Sequence, residues 1–245
     1  MTPSRSTEVD SQLVAVDGLE MAMRVRGDGD PLLLINGMAR PLQSWTHLEQ
    51  ELRARTIVSF DAPGVGNSPT PLLPVSIPRL AALAIGVLDA AGLRDADILG
   101  FSHGGAVAQQ LASDEPDRVR RLVLVSTSCG LGTTLGCRRA MLRSLRTPSD
   151  GNSWPRTDAR GLLWHALAFS SWSSIPFLGT IAARTLVVCG THDRVVPPAN
   201  SRMLAGRIPG ASLVMLSGGH DLQRPEPARA LAHIVEEFLG QGTSR

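Results

Sequence analysis

The sequence contains no lysine and no tyrosine, so each of its 24 Lys-or-Arg positions is an arginine. The chain therefore has no lysine amine for Schiff-base chemistry and no tyrosine phenol for acid catalysis. Its three cysteines lack Cys-x-x-Cys spacing, which predicts neither a disulfide framework nor a zinc site. We expect no cofactor and no metal, and we interpret Cys189, which lies in an apolar run, as part of the core.

Long runs of apolar residues and long runs of basic residues are missing as well. No stretch of about 18 apolar residues could span a membrane, and residues 1–12 lack the apolar segment of a signal peptide. The 24 basic and 22 acidic residues are spread along the chain without a basic block, which disfavours nucleic-acid binding. We expect a cytoplasmic protein that acts on a small molecule, and the sequence leaves its oligomeric state open.

What is present is enough apolar material for one large domain, since 43% of the 245 residues are hydrophobic. Apolar and polar residues alternate over residues 11–26 around Asp17-Gly18, which predicts an antiparallel hairpin. Buried strands are predicted at 31–37, 56–61, 96–101, 120–127, 184–190 and 211–217, and helices at 42–54, 76–92, 104–113, 198–206 and 226–239. This alternation predicts an α/β fold, with a mostly parallel sheet covered by helices on both faces.

One stretch interrupts the alternation. Residues 129–183 lie between two predicted strands and are too long for a simple crossover. Helical fragments are predicted inside this stretch at 137–146 and 160–170, with a flexible loop at 148–152. We predict a small inserted helical lid at 129–183 over a core formed by residues 1–128 and 184–245.

The predicted lid is rich in large apolar side chains. Trp164, Trp172 and Phe177 are our candidates for a hydrophobic substrate pocket, and Trp154 lies in the same stretch. The alternative is that these side chains only pack the lid against the core.

A short glycine-rich motif falls where a predicted strand meets a predicted helix. The residues Gly100-Phe101-Ser102-His103-Gly104 fit the pattern G-x-S-x-G. In that setting the turn admits only small neighbours and holds the serine hydroxyl at a helix N-terminus, where backbone amides favour negative charge. Ser102 is therefore the candidate nucleophile, and the alternative is a tight turn with an incidental serine.

A serine hydroxyl needs a base, and the base needs a carboxylate that orients it. His220 follows the last predicted strand and Asp193 follows the strand at 184–190. Because the carboxyl ends of parallel strands lie at one edge of the sheet, these side chains can converge with Ser102. The order Ser, Asp, His is the one expected for the α/β-hydrolase fold. Taken singly, His220 could be a loop histidine and Asp193 a turn residue.

Acyl transfer also needs donors for a developing oxyanion. We predict the backbone N–H groups of His103, directly after the nucleophile, and of Met38, in the loop after the first buried strand. The His103 side chain should diverge from Ser102. His165 in the predicted lid could contact substrate or simply be packed there, and we interpret Asp61 as a residue that satisfies backbone amides in a rigid loop.

These motifs resemble a known family over most of residues 31–128 and 184–240. The segments LLLINGMARPLQSW, FDAPGVGNSPTP, GFSHGGAVAQQLASDEPDRVRRLVLVST and SRMLAGRIPGASLVMLSGGHDL are similar to those of α/β-hydrolase superfamily serine hydrolases. Within that superfamily the chain most resembles intracellular medium-chain poly(3-hydroxyalkanoate) depolymerases. It departs from their usual pattern at His103, where that family has Trp, and its predicted lid is shorter.

The leading functional hypothesis is a serine hydrolase of carboxylic esters whose acyl group is of the 3-hydroxyalkanoate type or is another hydrophobic acyl group. A thioesterase, lactonase, C–C bond hydrolase or perhydrolase could use the same three residues, since members of the superfamily catalyse such reactions. A hypothesis from a different class is a binding module on the same scaffold that does no chemistry.

Overall fold

The computed structural model describes residues 11–145 and 157–241, and within them eight strands form one sheet. The strands are β1 (Gln12–Val16), β2 (Leu19–Arg26), β3 (Asp30–Ile35), β4 (Arg55–Phe60), β5 (Ala96–Phe101), β6 (Val119–Val125), β7 (Arg184–Gly190) and β8 (Ser212–Leu216). Their order across the sheet is β1-β2-β4-β3-β5-β6-β7-β8. Strands β3 to β8 pair in parallel, whereas β1 and β2 are antiparallel, which confirms the predicted α/β sheet.

The hairpin at the edge of the sheet forms at the predicted position. Asp17 and Gly18 connect β1 to β2 with φ angles of 49° and 80°. Two positive φ values are typical of the two-residue turn whose twist matches that of the flanking strands. The second strand of the hairpin then pairs antiparallel with β4, with Met23 opposite Phe60.

The helices cover both faces of the sheet, as predicted. They are α1 (Thr46–Glu51), α2 (Ile77–Ala90), α3 (His103–Asp114), α4 (Arg138–Ser144), α5 (Ala159–Ser170), α6 (Pro198–Arg207) and α7 (Pro225–Gly240). Successive residues of strand β3 point to opposite faces of the sheet, and both faces are covered by helices. Leu33 and Ile35 pack in the cluster that includes α2 and α3, while Leu32 and Leu34 pack in the cluster that includes α1 and α7.

The helix predicted at 42–54 is partly wrong. Its first residues form a 3₁₀ turn at Leu42–Trp45, and α1 ends at Glu51. Leu52 leaves the helical conformation, with ψ at 45°, because the chain must enter β4 at Arg55 three residues later. None of the described helices combines the length and apolar character needed to cross a bilayer.

The β6–β7 segment (residues 126–183) contains both predicted helical fragments as α4 and α5. Its last part is embedded in the core, since Leu178 and Ile181 are buried and Ser173 forms a β-bridge with Gly130. The predicted loop at 148–152 and Trp154 lie outside the described residues.

Candidate active site

Ser102 lies at the junction of β5 and α3 in a backbone conformation that side-chain-bearing residues rarely adopt. Its φ and ψ are 53° and −117°, and such strained conformations cost about 1–3 kcal/mol. The Ser102 N–H donates to the Val125 carbonyl (2.9 Å), and its carbonyl accepts from the Gly105 N–H (2.9 Å) and the Thr127 hydroxyl (2.6 Å). These bonds to the next strand and helix hold the strained turn in place.

Two glycines of the motif are required by close packing. A Cβ atom on Gly100 would lie 2.5 Å from the Gly104 carbonyl oxygen, and a Cβ atom on Gly104 would lie 2.1 Å from the Ile35 carbonyl oxygen. Real Cβ atoms do not approach backbone this closely. The spacing G-x-S-x-G therefore lets α3 pack directly on β3 and β5 with Ser102 at the sharp turn between strand and helix.

The structure brings Ser102, Asp193 and His220 together. The Nε2 atom of His220 lies 3.1 Å from the Ser102 Oγ, and its Nδ1 lies 2.8 Å from Oδ2 of Asp193. Each residue follows the carboxyl end of its own parallel strand, β5, β7 or β8. A carboxylate can only accept a hydrogen bond, so Nδ1–H is the donor to Asp193 and Nε2 is the ring nitrogen that faces the Ser102 hydroxyl.

The second oxygen of Asp193 fixes the carboxylate. Oδ1 accepts from the backbone N–H groups of Val195 and Val196, each at 2.8 Å. The Asp193 side chain is fully buried, with 0% of its surface exposed. Buried carboxylates require such donors, because an unsatisfied one would lose the solvation of water without replacement. The same bonds set the direction in which Oδ2 points.

The loop after β3 places Met38 beside the serine. Met38, Ser102 and His103 all line one cavity. Asn36 holds this loop, because its Oδ1 accepts from the Gly37 N–H (2.9 Å) and its Nδ2 donates to the Ser44 hydroxyl (2.6 Å). Met38 and His103, whose backbone amides are the predicted oxyanion donors, are thus on the walls of the space above Ser102.

Further polar side chains that the sequence analysis missed tie this loop to the loop that carries His220. Gln223 donates to Asn36 Oδ1 (3.0 Å) and accepts from Arg40 (3.0 Å). Arg40 also contacts Asp221 at 3.0 Å. The two residues of each of these three pairs are 181–187 positions apart in sequence, so no local pattern could have paired them.

The cavity above Ser102 measures about 190 Å³; most of its surface is apolar, and seven apolar side chains line it. These are Met38, Leu135, Met141, Leu145, Phe169, Val195 and Val196. The β6–β7 segment supplies four of them, from Leu135 to Phe169. Asn200 on α6 holds the wall through two hydrogen bonds with the Thr134 backbone, at 2.8 and 2.9 Å.

Trp164, Trp172 and Phe177, the predicted pocket residues, are not among those that line this cavity. The Trp164 indole N–H donates to the Pro71 carbonyl (3.2 Å), and that of Trp172 donates to Gln110 (2.7 Å). Phe177 packs edge-to-face against Trp172 with ring centroids 6.2 Å apart. An aromatic residue of α5, Phe169, lines the cavity instead.

His103, whose side chain was predicted to diverge from Ser102, is buried. It packs against His165 of α5, with ring centroids 4.9 Å apart, and against Phe169 at 6.0 Å. Burial lowers the pKa of His103 well below its ordinary value, and the nearby His165 lowers it further. Burial likewise lowers the pKa of His165, whose Nε2 lies 2.9 Å from the Pro63 carbonyl oxygen. Burial thus favours the neutral form of both rings, and their contact joins α3 to α5.

Asp61 at the end of β4 acts on backbone amides, as interpreted from the sequence. Its carboxylate accepts from the N–H groups of Leu42 (2.6 Å) and Asn67 (2.8 Å). Burial raises the pKa of Asp61 to about 6, although these two bonds and Arg24 partly oppose the rise. Among the described residues, no group of three or more His, Cys, Asp or Glu side chains could hold a metal ion.

Known proteins share this architecture. The family described as alpha/beta hydrolase fold matches residues 30–154 and 130–227. The poly(3-hydroxyalkanoate) depolymerase of Ectopseudomonas oleovorans is 33% identical, over 88% of this chain and 86% of its own length. The 2-hydroxymuconate semialdehyde hydrolase of Pseudomonas putida is 30% identical, over 98% of this chain and 97% of its own.

Solved structures agree with these relatives. A hydrolase from Pseudomonas aeruginosa PA01 superposes with a TM-score of 0.83 at 27% identity, covering 96% of this chain and 100% of that one. The enol-lactonase from Burkholderia xenovorans LB400 also gives 0.83, at 25% identity, covering 94% of this chain and 100% of that one. With its parallel sheet and a serine turn between β5 and α3, the chain belongs to the α/β-hydrolase fold family and is similar within it to poly(3-hydroxyalkanoate) depolymerases.

Proposed function

We propose that this protein is a serine hydrolase that cleaves carboxylic esters through an acyl-enzyme intermediate. The observation that carries the proposal is the pair of contacts from Asp193 through His220 to the Ser102 hydroxyl, at 2.8 and 3.1 Å. A serine hydroxyl is a weak nucleophile alone, and a base within bonding distance activates it.

The reaction follows from these positions. Ser102 Oγ attacks the ester carbonyl carbon while His220 Nε2 takes the serine proton and Asp193 stabilises the imidazolium. The carbon–oxygen bond to the alcohol then breaks, and His220 gives its proton to the departing oxygen. Water enters, His220 takes one of its protons, and the resulting hydroxide attacks the acyl carbon. The carboxylic acid leaves as Ser102 recovers a proton from His220.

The negative oxygen formed in each attack is bound by the backbone N–H groups of Met38 and His103. Within residues 11–145 and 157–241, neither amide donates a hydrogen bond to another group of the protein. Both residues line the same cavity as Ser102. Loss of one such donor would cost about 2.7–4 kcal/mol of transition-state stabilisation.

The acyl group occupies the apolar cavity. Its volume of about 190 Å³ exceeds the roughly 150 Å³ of an engineered protein cavity that binds benzene. An acyl group from a few carbons to a six-membered ring therefore fits. Leu135, Met141 and Phe169 of the proposed lid, residues 129–183, line this cavity.

Cleavage of a carbon–carbon bond is the second candidate. It is favoured by the 30% identity to a 2-hydroxymuconate semialdehyde hydrolase over almost the full length of both chains. A panel of 4-nitrophenyl butanoate, a butanoyl thioester, an enol lactone and 2-hydroxymuconate semialdehyde distinguishes the reactions. We expect the highest kcat/KM for the ester. A higher value for the semialdehyde would replace our assignment with the second candidate.

The mechanism is tested by Ser102→Ala, with Ser113→Ala near the end of α3 as the control. Hydrolysis of 4-nitrophenyl butanoate should fall at least about 10³-fold in Ser102→Ala and stay near wild type in the control. Wild type and control should also react with a fluorophosphonate probe, whereas Ser102→Ala should not. Turnover that survives in pure Ser102→Ala would refute the mechanism, and an unlabelled wild type would favour a binding module.

A further inference from the structure

A second concavity lies on the His220 side of the cavity. We call it the basic groove, and its volume is about 890 Å³. It is lined by Cys137, Arg139, Ala140, Arg143, Ser144, Arg194, Gly219, His220, Asp221, Arg224, Pro225, Glu226 and Pro227. His220 and Ser144 also line the cavity above Ser102, so the two spaces meet at the proposed base.

Positive charge dominates the basic groove. Its lining includes four arginines and two carboxylates, Asp221 and Glu226. Asp221 is already engaged, because Arg40 contacts it at 3.0 Å and Arg224 at 3.3 Å. In sequence, no aspartate or glutamate occurs between residues 118 and 149, the stretch that includes α4.

Two groove arginines lack an ionic partner. Among the described residues, no carboxylate lies within salt-bridge distance of Arg139 or Arg194, and both side chains are exposed. Cys137 also lines the groove, and the pKa of its thiol reflects the nearby backbone N–H groups and positive charges. Its pKa is lowered by the backbone N–H groups of Ala140 and Arg139, and further by the charges of Arg194 and Arg143.

The positions of the two spaces decide which part of a substrate each one takes. The apolar cavity contains Ser102 and the two candidate amide donors, so it receives the acyl group. The basic groove touches His220 but not Ser102. Since His220 must give its proton to the departing oxygen or sulfur, the leaving group lies on the His220 side.

We propose that the basic groove binds a leaving group that carries several negative charges, such as the phosphate groups of a phosphorylated thiol or alcohol. This inference rests on the proposed function, because it names the leaving group of that same reaction. The groove arginines come from α4, from the loop after β7 and from the loop after β8. Their positive charges therefore lie at separate places, as a ligand with several negative charges requires. The guanidinium group suits phosphate because its planar fork donates two hydrogen bonds at once.

Matched thioesters test the proposal without changing the acyl group. Hexanoyl-CoA carries phosphates, S-hexanoyl-3-mercaptopropionate carries one carboxylate, and S-hexanoyl-N-acetylcysteamine is neutral. In about 50 mM salt we expect kcat/KM to be at least about 10-fold higher for hexanoyl-CoA than for the neutral thioester, with the carboxylate between them. In about 0.5 M NaCl this preference should shrink to within about 3-fold, because salt screens exposed charges.

The variant Arg139→Gln/Arg224→Gln assigns the preference to the groove. The ratio of kcat/KM for hexanoyl-CoA over the neutral thioester should fall about 10-fold. The control is Arg53→Gln. Arg53 is exposed and lies two residues before β4, and therefore at the opposite edge of the sheet. In this variant the ratio should stay at the wild-type value. Fluorophosphonate labelling of each variant shows that the serine site remains folded.

The outcomes separate this inference from the proposed function. If all three thioesters and 4-nitrophenyl butanoate are inert, the proposed function fails. If they are hydrolysed but hexanoyl-CoA has no advantage, or keeps its advantage in the double variant, the groove proposal alone is overturned. An advantage for the singly charged thioester over hexanoyl-CoA would likewise overturn a polyanion site.

Discussion

Arg40 and Asp221 are 181 positions apart in the chain, yet a guanidinium–carboxylate contact of 3.0 Å joins them. The contact connects the loop after β3, which carries Met38, to the loop after β8, which carries His220. The Arg40 guanidinium also lies 5.2 Å from the centre of the Phe101 ring, and the His220 ring lies 5.1 Å from that same ring. One buried cation thus fixes both loops that flank Ser102.

Removal of that cation should loosen the site. Arg40→Met leaves Asp221 with a single exposed partner, Arg224. We expect the free energy of unfolding to fall by about 2–3 kcal/mol, which is less than the roughly 3–5 kcal/mol typical of breaking a fully buried pair. Urea unfolding measures this loss. The control is Arg224→Met, which removes the other partner of the same carboxylate. Since the Arg224 side chain is 52% exposed, that loss should be below about 1 kcal/mol, and equal losses would contradict our account.

The loop that carries Met38 depends on the Asn36 side chain. Asn36→Ala removes the bonds to the Gly37 N–H and the Ser44 hydroxyl. A displacement near 1 Å of a group that binds the transition state lowers kcat by up to about 10²-fold, and we expect a loss of this order with KM little changed. Steady-state hydrolysis of 4-nitrophenyl butanoate measures it. Asn67→Ala, at an exposed asparagine, is the control, and an undiminished kcat in Asn36→Ala would remove the loop from the mechanism.

Close packing of α3 on β3 makes Gly104 irreplaceable. In Gly104→Ala the new methyl group would meet the Ile35 carbonyl oxygen at 2.1 Å, so we expect a stability loss of about 3 kcal/mol. Gly179→Ala is the matched control, because no atom lies within 4 Å of its added Cβ. Thermal unfolding compares the two variants. Equal melting temperatures would mean that α3 can move away from the sheet at little cost.

Asp61 predicts how stability depends on pH. Its pKa of about 6 in the folded protein lies above the ordinary value of 3.8, so the folded state holds the proton more tightly than the unfolded chain does. The free energy of unfolding should therefore decline as pH rises from about 4 to about 6, by at most about 1.4 kcal/mol per pH unit for this group. Asp97 acts in the same direction. Burial raises its pKa to about 6 as well, although the charges of Arg121 and Arg55 oppose the rise.

Urea unfolding at several pH values between 4 and 7 checks this dependence. In Asp61→Asn the decline should be shallower, because one of the two carboxyl groups no longer titrates. Asp117→Asn, at an exposed aspartate, should leave the slope as in the wild type. A steeper decline in Asp61→Asn would show that the sign is wrong.

Strands, helices and the serine motif were predictable because local patterns determine them. Strand β5 and strand β7 lie at the predicted residues, since each is a short apolar run between turn residues. The meeting of Ser102, Asp193 and His220 was predictable for a similar reason, because parallel strands bring their carboxyl ends to one edge. No comparable rule links a side chain to a distant partner.

The cavity wall was not predictable from the sequence. Trp164 and Trp172 have the apolar surface of pocket residues, but each carries an indole N–H that needs an acceptor when buried. Those acceptors are the Pro71 carbonyl and Gln110, on elements remote in sequence. Phe169 has no such requirement and faces the cavity, a distinction that only the packing of α5 decides.

The backbone strain at Ser102 means that, for this proposed nucleophile, natural selection for stability and selection for reactivity act against each other. A glycine would relax a φ of 53° and, after the entropy that glycine loses on folding, leave the fold more stable by about 1 kcal/mol. The same exchange would delete the hydroxyl. On our proposal, a lineage no longer selected for turnover should lose this serine early, while the scaffold around it persists.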